Sequence, residues 1–490
     1  MKKLALAIAV PLAMIGAATF YTSTQIESTT RDAVDQANIK LREITVGSGA
    51  GISLKLLSFE RGLLSSAARY QIDIEVHDEG ETKKYAVLLQ DRIEHGPFPA
   101  SRLARGQLMP VAAQNHFQLE RTPQTRKLFD AALGEVPLVG DVAIGYDGSR
   151  YGSLRSAAFH AESEKGTIRV SPGTITFDAK HATALRMDGE LPEIDAILLG
   201  SSGKSVRLGL RGIGVTADKQ EDANGFALGN SGVTLKRMDF QAGDAPAVVI
   251  QNVSVDEVLK QGSRGLDQMI AYRIGQLEAQ GRTFSNLALA FSLRNLEVTN
   301  LKALVDSYKE LLESSPNPQD AVASMTDAQQ SKLQAQAMQL LEHKPTLALD
   351  EFGFETAHGA ARLSIVLDLR GPSEDAFTLQ AMITSMLASL KAEAGVDKSL
   401  LRDFADLIAQ HEHRGGQLDP IALQQKADAA TELISAMALN SGWSRLEGGR
   451  LLSSLHYADN QVSVNGREMS VPEFMGFAYR SIQDAGLLGQ

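Results

Sequence analysis

Between residues 46 and 95 apolar and polar side chains alternate. In Tyr70-Gln71-Ile72-Asp73-Ile74-Glu75-Val76-His77 the Tyr, Ile, Ile and Val share one face, and Gln, Asp, Glu and His share the other. That is the pattern of a half-buried strand. Tyr85, Val87 and Leu89 begin a second strand that runs to Ile93, and Asp78-Glu79-Gly80-Glu81 between them is a turn. These spacings predict an antiparallel meander. Residues 98–135 hold no sustained period and read as loop and short helix. Strand signals resume near 140 and continue to 250, as at 167–170, 174–177, 206–210, 225–228 and 233–240. Glycines and polar pairs punctuate them, which points to a large antiparallel sheet with one polar face, or a curved one enclosing a groove.

From about 255 the period becomes helical, with a helix expected over 264–280. Residues 284–298 return to strand, with Leu287, Leu289, Phe291 and Leu293 alternating. Leu301, Leu304, Val305, Tyr308, Leu311 and Leu312 then lie on one helical face, and Pro316-Asn317-Pro318 breaks the run. A Gln/Ala-rich helix fits 326–342. Strands are expected at 346–349 and 362–369, and helices at 374–392, 398–412 and 420–439. A hairpin at 451–457 and 461–464 closes on Asn465-Gly466, and a last helix fits 471–485. The predicted fold class is α+β: a large, curved antiparallel sheet with helices inserted and segregated in the C-terminal half, plus one N-terminal transmembrane helix. The expected organisation is a signal anchor over 1–22, a stalk helix over 23–45, a β-rich region over 46–255, and a mixed α/β region over 256–490 that completes the sheet.

The transmembrane expectation rests on Lys2-Lys3 followed by LALAIAVPLAMIGAATF, which begins at Leu4 and ends at Phe20. As a helix this segment is about 26 Å long, just short of a hydrocarbon core of about 30 Å. Its length favours an uncleaved anchor; a signal peptide cut after Ala18 is the other reading. The two lysines before it leave the N-terminus in the cytoplasm and the bulk of the chain in the periplasm.

Composition narrows the field further. The chain of 490 residues is 43% hydrophobic and 22% charged, enough for a sizeable core. A net charge of −11 with no basic run longer than a pair argues against a nucleic-acid partner. The absence of cysteine removes disulfides, thiolate metal sites and Cys nucleophiles.

The run His95-Gly96-Pro97-Phe98-Pro99, closing a strand, resembles the hallmark of the YdgA-like family of bacterial envelope proteins, domain-of-unknown-function family 945. The Lys-Lys anchor is similar to the family's, and Phe59-Glu60-Arg61-Gly62-Leu63-Leu64-Ser65-Ser66-Ala67 resembles its "RGW(F)xS" run with Leu63 in place of Trp. Asp459-Asn460-Gln461-Val462-Ser463-Val464-Asn465-Gly466 is similar to its closing strand and turn. The resemblance implies an inner-membrane anchor and a periplasmic α/β body, with no established activity.

No residue pattern names a reaction, so no catalytic, cofactor or metal residues are expected. His95, Gly96, Pro97, Phe98 and Pro99 suit a rigid corner between sheet and loop, although His95 also titrates near neutrality. His411-Glu412-His413 sits at a helix end, where an i,i+2 pair points about 200° apart and cannot share a metal. Gly200-Ser201-Ser202-Gly203-Lys204-Ser205 imitates a phosphate loop, but Leu198 stands where such a loop needs Gly, and a strand follows. Gly47-Ser48-Gly49-Ala50-Gly51 is no dinucleotide fingerprint. Trp443, the sole tryptophan, suits an anchor for the last sheet. The expected function is that of a non-enzymatic membrane-anchored scaffold or a binder of lipid or an envelope protein. Such a protein has inner-membrane lipid as its setting and needs a continuous Leu/Ile/Val-lined concavity. The alternatives are an envelope hydrolase, which needs a His meeting a carboxylate and a nucleophile, and a homo-oligomeric interaction module.

Overall fold

A computed structural model describes Val34, Asp35, Ala37, Asn38, Leu41 and residues 50–484, except 79–80, 181–182, 201–203, 315–323, 373–384 and 413–419. These residues form two units: Met1–Ala245 with Lys302–Gln334, and Pro246–Leu301 with Ala335–Gln490.

The first unit contains β1 (Ala50–Arg61), β2 (Ser65–Asp78), β3 (Glu81–His95), β4 (Ala113–Leu119), β5 (Leu138–Ile144), β6 (Arg150–Ser156), β7 (Phe159–Ser163), β8 (Gly166–Val170), β9 (Thr174–Ala179), β10 (Ala184–Leu199), β11 (Ser205–Glu221) and β12 (Ala227–Ala242). Two short helices, α1 (Ala100–Ala104) and α2 (Arg126–Ala131), flank β4. The strands pair antiparallel in the order β1-β2-β3-β4-β5-β6-β9-β10-β11-β12, and β8 continues the line of β9 along the long β10.

Register puts Leu54 opposite Ile72 and Ile72 opposite Val87, so the apolar half of each alternation shares one face. That face is the core. Leu54, Ile72, Ile74, Leu89 and Ile93 are sealed from solvent there, each burial contributing about 2 kcal/mol. Val34, Ala37 and Leu41 pack into the same cluster. Asn38 ties this segment to the sheet: its Nδ2 donates to the Leu54 carbonyl at 2.9 Å, and the Leu54 N–H donates to its Oδ1 at 2.7 Å. One buried polar pair interrupts the apolar face. Asn115 Nδ2 donates to Asp91 Oδ2 at 2.7 Å, while Asp91 Oδ1 and Asn115 Oδ1 have no hydrogen-bond partner.

The second unit carries β13 (Val248–Gln261), β14 (Leu266–Ala279), β15 (Arg282–Leu296), β16 (Thr346–Thr356), β17 (Gly359–Leu369), β18 (Leu387–Asp397), β19 (Arg445–Glu447), β20 (Arg450–Ala458), β21 (Gln461–Val464) and β22 (Arg467–Ser470). It is an antiparallel succession β13-β14-β15-β16-β17-β18-β20-β21-β22, with β19 beside one end of β20. The helices of this half of the chain are α3 (Val298–Ser314), α4 (Asp327–Glu342), α5 (Lys398–Glu412), α6 (Pro420–Asn440) and α7 (Val471–Asp484). Ion pairs Lys398–Glu432 and Arg402–Asp428 join α5 to α6. The last turn of sheet is capped by α7, where Phe474 and Phe477 pack with Trp443 over the buried Val462, Val464 and Met469.

The large antiparallel sheet and the C-terminal weighting of the helices match the reading from sequence. Three elements do not. Within 98–135 lies strand β4, where the neighbours Gln114 and Asn115 are both buried, one on each face, so its hydrophobic period is masked by polar residues. The helix expected over 264–280 is strand β14. Leu266, Ile270, Ile274 and Leu277 mimic helical spacing, but Ile270, Tyr272 and Ile274 alternate along one sheet face. Of the helix expected over 374–392, residues 374–384 lie outside the described residues and the last six belong to strand β18. No helix among the described residues is long and apolar enough to cross a membrane; the segment from Leu4 to Phe20 lies outside the described residues.

Candidate functional site

His95 ends β3 at a corner where the β1–β2 turn meets the 96–112 loop. Its N–H donates to the Leu64 carbonyl at 2.9 Å. Ring Nδ1 lies 3.3 Å from the Leu63 carbonyl and Nε2 lies 2.9 Å from Ser66 Oγ. A carbonyl only accepts, so Nδ1 carries the hydrogen and Nε2 accepts from the serine hydroxyl. Gly96 donates to the Ala112 carbonyl, and Val111 donates to that of Pro97. A Cβ at Gly96 would stand 1.8 Å from the Val111 carbonyl oxygen, so no side chain fits there. The Gly96–Pro97 peptide is cis. The five-residue motif thus stitches the β1–β2 turn to the 96–112 loop, and His95 meets a serine but no carboxylate.

The other sequence candidates are not brought together. Among the described residues no cluster of His, Asp and Glu could hold a metal ion. His411 and Glu412 close α5, and His413 lies outside the described residues. Gly200 N–H donates to Lys204 O at 2.9 Å between the antiparallel strands β10 and β11, so a strand and not a helix follows Lys204; residues 201–203 lie outside the described set. Residues 47–49 lie outside the described set. Trp443 packs edge-on to Phe474, with ring centroids 5.9 Å apart.

The unusual surface is one face of the second unit's sheet. Register aligns Ile270, Phe291, Leu349 and Ile365 in one cross-strand row, and Tyr272, Leu289, Phe352 and Leu363 in the next. Leu293, Leu347, Leu367 and Leu390 form a third. Tyr272, Phe291, Leu293, Leu347 and Phe352 remain between 39% and 45% exposed. The opposite face at the same strand positions carries Ala271, Ala290 and Ala348, all buried. The alanines lie among exposed charged side chains, Arg273 and Asp256 and, further along, Lys391 and Glu393, so that face is the polar one and the large apolar side chains gather on the other. Those five residues alone leave open roughly 400 Å² of side chain, the size at which an apolar patch on a monomer is commonly functional. Covered ground bounds the patch. At one end Phe404 of α5 packs edge-on to Phe354 at 5.9 Å; at the other lies the α7 cap over Val462, Val464 and Met469. The misreading of 264–280 as helix hid the face, because β14 supplies its Ile270 and Tyr272.

Fold and surface together define a class: large antiparallel-sheet proteins with an uncovered apolar sheet face. The chain belongs to the bacterial family of unknown function DUF945, whose model matches residues 1–472. It is 23% identical to protein YdgA of Escherichia coli (strain K12), over 93% of this chain and 92% of that one. It is 20% identical to the uncharacterized protein YihF of the same organism, over 98% of this chain and 99% of that one. An uncharacterized protein of Haemophilus influenzae is 27% identical over 37% of this chain and 49% of its own length. No solved structure matches.

Proposed function

We propose that the protein is an inner-membrane-anchored, largely periplasmic envelope protein that holds lipid acyl chains on the open face of its second unit. The observation that carries this reading is the continuous face of large aliphatic and aromatic residues, five of them between 39% and 45% exposed. No charged side chain interrupts the central rows from β14 to β17. From β14 to β18 the face extends four inter-strand steps, about 19 Å at ~4.8 Å each, which accommodates one acyl chain of about half a hydrocarbon core, ~15 Å. The Lys2-Lys3 leader and the apolar stretch after it support a setting in which such chains are the nearest apolar ligand.

The test is lipid extraction from full-length protein purified from its native membrane in mild detergent. The expected result is co-purifying phospholipid or another acylated lipid, lost in a Tyr272→Asp, Phe291→Asp double variant that keeps its circular dichroism spectrum. Lipid-free wild-type protein that purifies as a strict oligomer, with the same two residues at its cross-linked interface, would replace this reading with self-association.

A further inference from the structure

On the polar face of the first unit's sheet, α1 brings Ser101 against His116 of β4. His116 Nε2 lies 3.1 Å from Ser101 Oγ, and Nδ1 lies 2.6 Å from Asp141 Oδ1 on β5. A carboxylate only accepts, so Nδ1 carries the hydrogen, and in the neutral ring Nε2 offers its lone pair to the serine hydroxyl. This is the tautomer a general base requires, and a Ser–His–Asp relay is recognised by such geometry and not by order along the chain.

The supporting contacts hold the relay in place. Arg155 pairs with Asp141 at 3.0 Å and Arg105 at 3.8 Å. The His116 hydrogen bond is the largest influence keeping the Asp141 carboxyl below its ordinary range, so it stays ionised. The helix itself is pinned by Arg102, buried 5.6 Å over the Tyr151 ring. Glu94 is the other group facing Ser101. Its Oε2 accepts the Ser101 N–H at 2.9 Å, and Oε1 lies 3.8 Å from His116 Nε2 and 3.6 Å from Arg92. Burial pushes the Glu94 carboxyl up, but the Ser101 N–H, a bond to the Ser101 hydroxyl and the nearby His116 and Arg92 bring it below its usual range, so Glu94 and His116 Nε2 are alternative acceptors of the one hydroxyl proton, and nucleophilic attack uses the arrangement in which it points to Nε2. A carboxylate held that way takes up a proton poorly, which leaves His116 as the base.

We propose that Ser101 is a nucleophile activated by His116, with Asp141 as the positioning residue, and that it accepts the acyl group of carboxylic esters bearing an apolar chain. The apolar preference follows from the same segment, which leaves Phe98, Leu108 and Met109 more than half exposed. Ser101 Oγ bonds to the ester carbonyl carbon as its proton passes to His116 Nε2. The carbon–oxygen bond to the alcohol breaks, and the alcohol leaves with that proton. Water then attacks the acyl-serine and gives one proton to Nε2, which returns it to Ser101 Oγ as the carboxylic acid departs. Ester and water become acid and alcohol. The inference goes beyond lipid binding by the second unit and does not rest on it.

The test treats full-length protein in detergent micelles with a long-chain alkyl fluorophosphonate and maps the adduct by peptide mass spectrometry. The expected adduct is on Ser101, with labelling reduced at least tenfold in Ser101→Ala and in His116→Ala. Asp141→Asn is expected to change the pH profile of the labelling rate, which a merely structural carboxylate would leave unmoved. Since the chain has no cysteine, Ser101→Cys supplies a unique thiol. Its alkylation by iodoacetamide is expected to be at least tenfold faster than in the same variant with His116→Ala. An adduct on another residue, no adduct at all, or equal alkylation rates with and without His116 would overturn the assignment.

Discussion

Asp91 lies in the apolar core of the first unit, 1% exposed, with Asn115 as its side-chain partner. Burial pushes its carboxyl up to about 7 from an ordinary 3.8, against the weaker opposing pull of Asn115 and the His116 backbone. The folded protein therefore keeps this proton over a range where the unfolded chain has lost it. Stability then falls as pH rises, by about 1.4 kcal/mol per unit. Between 3.8 and 7 the loss totals about 4 kcal/mol, and above 7 it levels off. The stereochemistry agrees: the two oxygens lacking partners, Asp91 Oδ1 and Asn115 Oδ1, are the ones a protonated acid would join, O–H to carbonyl, while the amide N–H serves Oδ2. Asp91→Asn supplies donors without a titration. Urea unfolding of both proteins, followed by circular dichroism from pH 5.5 to 8.5, reads the effect. The advantage of the Asn variant is expected to grow by about 2 kcal/mol between pH 5.5 and 7 and then stay constant. The lowered carboxylates, Asp141 among them, act with the opposite sign and in more acid solution, where their stabilisation is lost as pH falls. Parallel pH profiles for the two proteins would refute the reasoning.

Two further substitutions test the framework. Gly96→Ala is expected to destabilise by about 3 kcal/mol, because its Cβ meets the Val111 backbone oxygen and not a movable side chain; thermal melting reads it, and an unchanged midpoint would show that the corner yields. Asn38→Ala removes both bonds to Leu54, leaving its backbone groups unpaired at a cost of about 2 kcal/mol; limited proteolysis is expected to cut ahead of β1 sooner than in the wild type.

Sheet and helices were legible where one physical period dominated. Alternation over 70–77 gave β2, and the helical stripe from Leu301 to Leu312 gave α3, because each element buries one face against one neighbour. Legibility failed where burial and hydrophobicity part company. In β4, Gln114 and Asn115 are buried polar residues, so the strand is invisible to a hydrophobic count. In β14 apolar residues occur on both faces, Ile270, Tyr272 and Ile274 on one and Met269, Ala271 and Leu277 on the other, so the two-residue contrast that marks a strand is blurred. The Ser101–His116–Asp141 relay lies beyond any local pattern, since the β4–β5 pairing brings Asp141 to His116 across 25 positions and the placement of α1 brings Ser101 there across 15. His95 was the conspicuous histidine in sequence, yet His116, which no motif marks, is bonded to both a carboxylate and a serine hydroxyl.

The lone tryptophan gives the molecule a built-in optical reporter of one place. Trp443 packs against both Phe474 and Phe477 of α7, with centroids 5.9 and 5.1 Å away. Its emission therefore reads whether the C-terminal helix is seated, while the backbone signal averages over every strand. A red shift that precedes the loss of ellipticity during unfolding would mean that α7 lifts off first, baring Val462, Val464 and Met469 and lengthening the open apolar face by the strands it had roofed.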